Sequence, residues 1–592
     1  MKKLILFFTI LTMLGFTSCK KFLDKEPFSN LTPAKVFDNS GDLALYVNSF
    51  YVNQIPSAAT ITTSDNTSDY MSGNTIPPLM AASTNANNVI APPTGGWTTG
   101  NWGILRNINY FLDNNTNTSI PAAVRNNYNG VAKFFRAYFY FGMLKAYGDV
   151  PWYSHATAPG DASLYKPRDP RTLVADSIVA DLDYAIKNLT ATAKDASCST
   201  ITTWVALALK SRVCLFEGTY RKYHTELNLT STAATFLNES LDASNQIITS
   251  GNYKLHNTGN PLSDYRALFT TEVPWSDEDL LASIYSTSLK AYSSLNSLFT
   301  SPTLGFRNSL NKQFINTYLN ADGSRFTDEG GYDTISFVNE VKNRDLRLQQ
   351  TIRCNGYKRS DGSAAPPDFA YTYTGYDILK FTLDNKTLDY STLNTNSIPI
   401  FRYAEVLLNY AEAKSELGGF TSTDWALTIQ PLRQRAGIIN APYPTIADRY
   451  LQSTYFPDIT DPVLLEIRRE RGIELFSEGF RFDDIKRWKE GPMMSLPDLG
   501  MYVPAMNTYY ATNGDGVFNV DFVSEAPSPV VPGVVYYLVP LATVNLTNGT
   551  YGNIHWLVNY DTQRQWNDKY YYYPIPNSEI VLNPKLKQNP GW

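Results

Sequence analysis

Apolar residues fall at steps of three and four through much of the chain, and those steps predict most of its frame. Val131, Phe134, Phe135, Tyr138, Phe139 and Met143 lie on one face of a helix that starts near Val124. Tyr147-Gly148-Asp149-Val150-Pro151 supplies its stop. The same periodicity predicts helices at about Asp38 to Tyr51, from Trp102 through Ile104, Ile108 and Phe111, and over Arg171 to Leu189, Thr202 to Glu217 and Ala233 to Ser250. Small Ala206 and Ala208 sit in the middle of one of them, where a second helix can approach closely. Successive helices joined by short turns imply antiparallel pairs of tetratricopeptide-like type, although no sharp 34-residue period is present.

Between Gly251 and Pro399 the helical pattern gives way to short strands and loops, which reads as a subdomain inserted into the frame. The frame resumes with helices predicted at Phe401 to Leu417 and Trp425 to Ala436, the second ending on Arg433, Arg435 and a Gly437 stop. A helix beginning at the Asp461-Pro462 cap is expected to run through Gly479 to Trp488. Its apolar residues, Val463, Leu464, Leu465, Ile467, Ile473, Leu475 and Phe476, point all the way round, interleaved with Glu466, Arg468, Arg469, Glu470, Arg471 and Glu474. A helix with no wet face is buried, and buried charges must be paired. Tyr410, Glu412, Arg433, Glu474, Glu478 and Arg481 are the expected members of that network; the alternative is a half-exposed helix with solvated charges. Glu490 to Tyr570 is irregular and aromatic, and the prolines at 574, 576 and 584 predict an extended strap that ends on a packed Trp592.

The first eighteen residues read as a leader. Lys2 and Lys3 precede an apolar run from Leu4 to Phe16, too short to span a bilayer, and Thr17-Ser18-Cys19 resembles a lipobox in which Cys19 is acylated. Ordinary cleavage with Cys19 left as a free thiol is the alternative. The net charge is −5, or −7 once Lys2 and Lys3 leave, which argues against nucleic acid as a partner. Cys198, Cys214 and Cys354 allow at most one bridge, and His155, His224, His256 and His555 lack metal-ligand spacing. Asp322, Asp328 and Glu329 miss the EF-hand pattern, and Gly218 to His224 lacks P-loop spacing, so no cofactor is expected.

Aromatic residues make up 14% of the chain against 18% charged, enough to build a core and leave rings at the surface. The polar stretch from Val52 to Gly100 is long and without periodicity, which marks it as functional or disordered. Trp97 there could stack on a sugar face while Asn101, Asp65 and Asp69 meet hydroxyls; packing is an equal reading for Trp97 and the better one for Trp102. In the inserted subdomain Trp275, Tyr285, Phe306 and Arg307 complete the candidate glycan-binding set.

Three motifs carry a family resemblance. FRYAEVLLNYAEAKSELG at 401 to 418, ERGIELFSEGFRFDDIKRW at 470 to 488 and YPIPNSEIVLNPKLKQNPGW at 573 to 592 resemble, in order, the C-terminal half of the SusD and RagB family of bacterial outer-membrane nutrient-binding lipoproteins. VAKFFRAYFYFGMLKAYGDVP and TTWVALALKSRVCLFEGTYRKYH are similar to the family's N-terminal helices. The resemblance implies a mainly α fold: a leader over 1–18, then one domain over 19–592. Its helical frame would cover about 31–250 and 399–488, with loop-rich insertions at about 251–398 and 489–570 and a strap at 571–592. It further implies a lipoprotein on the outer face of the outer membrane that passes an oligosaccharide to a TonB-dependent, SusC-like transporter. A peptide ligand is the variant within the family, and a secreted glycoside hydrolase is the alternative outside it. No GxSxG, HExxH or Cys/His constellation supports catalysis. A helical-repeat scaffold that recognises proteins rests on the repeats alone.

Overall fold

The computed structural model describes residues 36–81, 95–158, 160–301, 303 and 305–592; Cys19 and the leader lie outside them. The frame is built from α1 (Ser40–Gln54), α2 (Thr99–Asn114), α3 (Ala122–Tyr147), α4 (Arg171–Asn188), α5 (Thr203–Tyr223), α6 (Ala233–Ser250), α7 (Tyr403–Glu416), α8 (Pro462–Glu474) and α9 (Arg481–Trp488). α1 and α2 pack on α3, and from there the order of packing is the order of the chain, α3 on α4, α4 on α5, α5 on α6, α6 on α7 and α7 on α8. Side-chain caps start several of them: Asn39 in a capping box, Thr98, Thr202 and Asp461. Gly148, with φ of 72°, ends α3. α5 and α6 cross so closely that a Cβ at Gly218 would lie 2.8 Å from the Leu237 side chain. The mainly helical, tetratricopeptide-like frame is therefore present, and most of its helices follow the periodicity closely.

Several elements depart from expectation. The Asp461 helix does not continue to Trp488. It breaks between Glu474 and Arg481, where Ser477 and Gly479 take positive φ of 59° and 86°. Asp65 fills the gap by accepting from the Gly479 and Arg481 amides at 3.2 and 3.1 Å, the cap that α9 does not supply itself. The helix expected at Trp425 to Ala436 is two, Ser422–Leu427 and Ile429–Arg435, because Pro431 has no N–H for the Leu427 carbonyl. Phe401 and Arg402 belong to a strand rather than to α7.

The strands are β1 (Met71–Ser72), β2 (Asp279–Ser283), β3 (Ser309–Leu310), β4 (Ile398–Arg402), β5 (Asp498–Val503), β6 (Tyr509–Tyr510), β7 (Val520–Val523), β8 (Val535–Leu538), β9 (Val544–Leu546) and β10 (Gly552–Trp556). β1 pairs with β3 and β2 with β4, while β5-β10-β9 and β6-β7-β8 form two three-stranded sheets. The stretch after Glu490 is thus organised as sheet, not irregular. The C-terminal strap is also not wholly extended: Asn577–Leu582 is a short helix behind Pro576, a position where a missing N–H costs nothing. Its end is packed, with the Trp592 indole donating to the Lys569 and Tyr572 carbonyls, both at 3.0 Å.

The charge network exists and is buried. Burial alone would raise the Glu474 carboxyl, but Arg435, Arg402 and Arg347 outweigh it and hold the group well below the usual carboxylate range. Arg402 also reaches Glu278 and Glu478, and Arg433 binds Glu466 and Glu470. Arg487 and the Trp488 indole both hold Glu412. Tyr410 is the exception among the expected members, since its hydroxyl donates to Asp424. Every charge on α8 named above is buried, so the solvated-helix alternative fails. Cys198, Cys214 and Cys354 are all buried and free. Among the described residues no helix is long and apolar enough to cross a membrane.

Candidate functional site

The eight candidate residues do not converge. Trp97 is 6% exposed; its ring packs edge to face against Trp102 and Tyr147, and its amide donates to the Tyr147 hydroxyl at 3.1 Å. Asn101 accepts from the Thr98 hydroxyl at 2.8 Å in the first turn of α2. Asp65 is the buried cap described above, and burial pushes its carboxyl up to about 7. Asp69 holds Arg481 through both oxygens at 2.8 and 2.7 Å. Neither aspartate is free to meet a hydroxyl of a ligand, which corrects their assignment to a sugar site. Trp275, 38% exposed, stacks on His256 at 4.0 Å and donates to the Ala267 carbonyl. Tyr285 lines a groove of about 340 Å³ and accepts from the Ala58 amide. Trp97 and Trp275 share no neighbour in these contacts, so the two indoles do not form one floor.

Phe306 and Arg307 do stand at a surface built for contact. Gly305 passes over the end of the Leu295–Thr300 helix, where a Cβ would lie 2.4 Å from the Ser301 carbonyl oxygen, so only glycine permits this path. It delivers Phe306 outward, 53% exposed. Arg307 follows with φ of 51°, a left-handed conformation that costs a non-glycine residue energy and persists where its surroundings enforce it. Its guanidinium lies over the Tyr373 ring at 4.2 Å, and Tyr373 is stacked on Trp556 at 4.0 Å and 11°. The stack is pinned from both sides: the Trp556 indole donates to the Gly73 carbonyl at 2.8 Å, and the Tyr373 amide donates to Ser309.

Among the described residues the Arg307 guanidinium makes one hydrogen bond, from Nη2 to the Phe369 carbonyl at 2.7 Å, and no carboxylate lies within ion-pair distance of it. The side-chain amide of Asn308 beside it makes no hydrogen bond among those residues. Tyr371 and Tyr390, whose hydroxyls are 3.4 Å apart, add half-buried and exposed rings beyond Phe369. An exposed ring, a forked donor and an amide on one short segment match what a sugar presents, apolar C–H faces flanked by hydroxyls. Tyr373 and Trp556 were missed by pattern reading; Trp556 reaches Gly73 across a sequence separation of 483.

A cavity of about 450 Å³ lies elsewhere, between α2, the 151–165 segment and the C-terminal strap. Its walls are mainly apolar, including Trp97, Trp102, Leu105, Leu582 and Leu586. Its tryptophans are committed edge-on to protein neighbours.

Two family descriptions match the chain. "SusD family" matches residues 305–592, and "Starch-binding associating with outer membrane" matches residues 21–215. The SusD-like protein P38 of Formosa agariphila is 24% identical over 395 residues, 63% of this chain and 69% of the relative. A SusD-like protein of Bacteroides fragilis superposes with a TM-score of 0.66 at 21% identity, covering 96% of this chain and all of the other. A SusD-like carbohydrate-binding protein of the same species gives 0.67 at 20% identity, over 93% of this chain and all of the other.

Proposed function

Because the chain belongs to the SusD/RagB family, we propose that it is a cell-surface lipoprotein that captures an oligosaccharide at the Arg307 ledge and hands it to a TonB-dependent, SusC-like outer-membrane transporter. Cys19 would carry the lipid anchor, with the body on the outside of the cell. The observation that carries the reading is the ledge itself: Phe306 bare and, among the described residues, Arg307 stacked but without a carboxylate beside a buried Asn308 whose side-chain amide makes no hydrogen bond. Binding without turnover is supported by the commitment of Asp69, which is held by Arg481 through both oxygens. A hydrolase would need two carboxyls free to flank the sugar.

Calorimetric titration against a panel of oligosaccharides tests it. The best ligand should lose about tenfold in affinity, ~1.4 kcal/mol, with either Phe306→Ala or Arg307→Ala at unchanged melting temperature. No binding by any member, or equal binding by both variants, would remove the ledge. Shortened products after incubation would replace capture with hydrolysis. Detergent pull-down from native membranes should recover a large β-barrel, and Cys19→Ala should release the protein from the membrane.

A further inference from the structure

The outer face of the β6-β7-β8 sheet carries a second set of rings that the ledge does not use. Register places Tyr509 beside Asp521 and Asp521 beside Tyr536, so the three side chains form one row across the sheet. The two tyrosine hydroxyls are 3.5 Å apart, and the Tyr509 ring lies 5.9 Å from that of Phe518. Tyr509 is 39% and Phe518 56% exposed. Asp521, itself buried, accepts from the Thr508 amide at 2.8 Å with one oxygen. Its second oxygen has no hydrogen-bond partner among the described residues. Such a row offers ring faces for stacking with a carboxylate oxygen and two hydroxyls between them.

Two facts choose the occupant. The chain has no Lys or Arg from residue 490 to residue 563, so the acidic Asp515, Asp521 and Glu525 stand without compensating cations in this part of the sequence. A polyanion would be repelled there, whereas a neutral sugar would not. Pro532 and Pro540 flank β8, one of the two edge strands of the sheet, and prolines beside an edge strand oppose addition of a strand from another protein there. The sheet is also fixed to the ledge from behind. Its inner face packs Phe522 and Tyr537 against Phe369, and the Tyr537 hydroxyl donates to the Tyr373 carbonyl at 3.0 Å.

We propose that the Tyr509–Asp521–Tyr536 row, with Phe518, is a second carbohydrate-contact platform selective for neutral glycan, one that raises avidity for a polymer gripped at the ledge. The proposal rests on the glycan reading of the ledge but stands on its own residues. Two weak contacts on one rigid body gain from effective concentration, so a long chain benefits from both while a short oligosaccharide uses one at a time.

Affinity electrophoresis of the full chain through gels containing soluble starch, galactomannan, xyloglucan or polygalacturonate separates the outcomes. With the neutral polymer that retards wild type most, Tyr509→Ala/Phe518→Ala should weaken retention roughly fivefold or more, and Arg307→Ala should leave a residue of retention that the triple variant loses. Circular dichroism melts of the double variant should be unchanged, since Tyr509 and Phe518 are exposed. If the double variant migrates like wild type while Arg307→Ala loses everything, the platform falls and the ledge stands. If the double variant loses everything and Arg307→Ala nothing, the ledge falls and the platform stands. Retention by no gel overturns both, and strongest retention by polygalacturonate overturns the neutral selectivity.

Discussion

Arg481 and Arg307 are set on tyrosines in nearly the same way, the first over Tyr70 at 3.9 Å and the second over Tyr373 at 4.2 Å. What differs is the counter-charge. Arg481 is buried with Asp69 locked across its fork, so its charge is spent inside the protein, where α9 meets the segment before β1. Among the described residues Arg307 has one carbonyl and no carboxylate for its guanidinium, in a conformation that glycine would adopt more cheaply. Like geometry serves two ends in the function proposed above: a cation matched from within holds the fold, and one unmatched among the described residues is the one assigned to a ligand. The predictions that follow try to break this distinction, beginning where the fold should suffer most.

Glu474→Ala should cost about 3–5 kcal/mol, because it removes the carboxylate that Arg347, Arg402 and Arg435 share and leaves three buried cations with only Asp345, Glu470, Glu278 and Glu478 to balance them. A urea midpoint close to wild type would show the network to be dispensable. Next comes acid. Burial would raise Glu412, but Arg487, helped by Arg471 and Arg468, brings it from 4.5 to about 2. Its folded value lies below its unfolded one, so its contribution is complete above about pH 4.5 and is lost as pH falls towards 2. The contribution is on the order of 3 kcal/mol, so the stability gap between wild type and Glu412→Gln should narrow over that window. A gap that does not change with pH would contradict it. Trp97→Ala should lower stability by about 3 kcal/mol as a packing loss, while glycan affinity per folded molecule stays the same. Weakened affinity with stability intact would return Trp97 to the site.

The helical frame was legible because its signal is local. Ala233–Ser250 could be read to the residue, since its apolar stripe, its neighbours in the stack and its Gly251 stop all lie close in sequence. The break at Ser477 to Gly479 was not legible, because the side chain that makes it worthwhile is Asp65, more than four hundred residues upstream. The strands after Glu490 were missed for the same reason: β5 is matched by β10, and only their pairing marks either as sheet. For the charge network, the sequence named Glu412, Arg433, Glu474, Glu478 and Arg481 from one unusually charged apolar helix. It could not name Arg347, Arg402 and Glu278, which arrive from the inserted region and β4. Within the candidate site, Phe306 and Arg307 stood out as a ring and a cation in a loop. Their supports, Tyr373 and Trp556, are brought in by folding alone, and the acids chosen to accompany the sugar turned out to be structural.

A crystal of the full chain soaked with the oligosaccharide that binds best by calorimetry is the most direct test. The account predicts a sugar ring lying on Phe306 with a hydroxyl accepting from the Arg307 guanidinium, and Arg481 and Asp69 undisturbed behind it. A sugar seated in the apolar cleft against Trp97, with the Arg307 ledge bare, would contradict it.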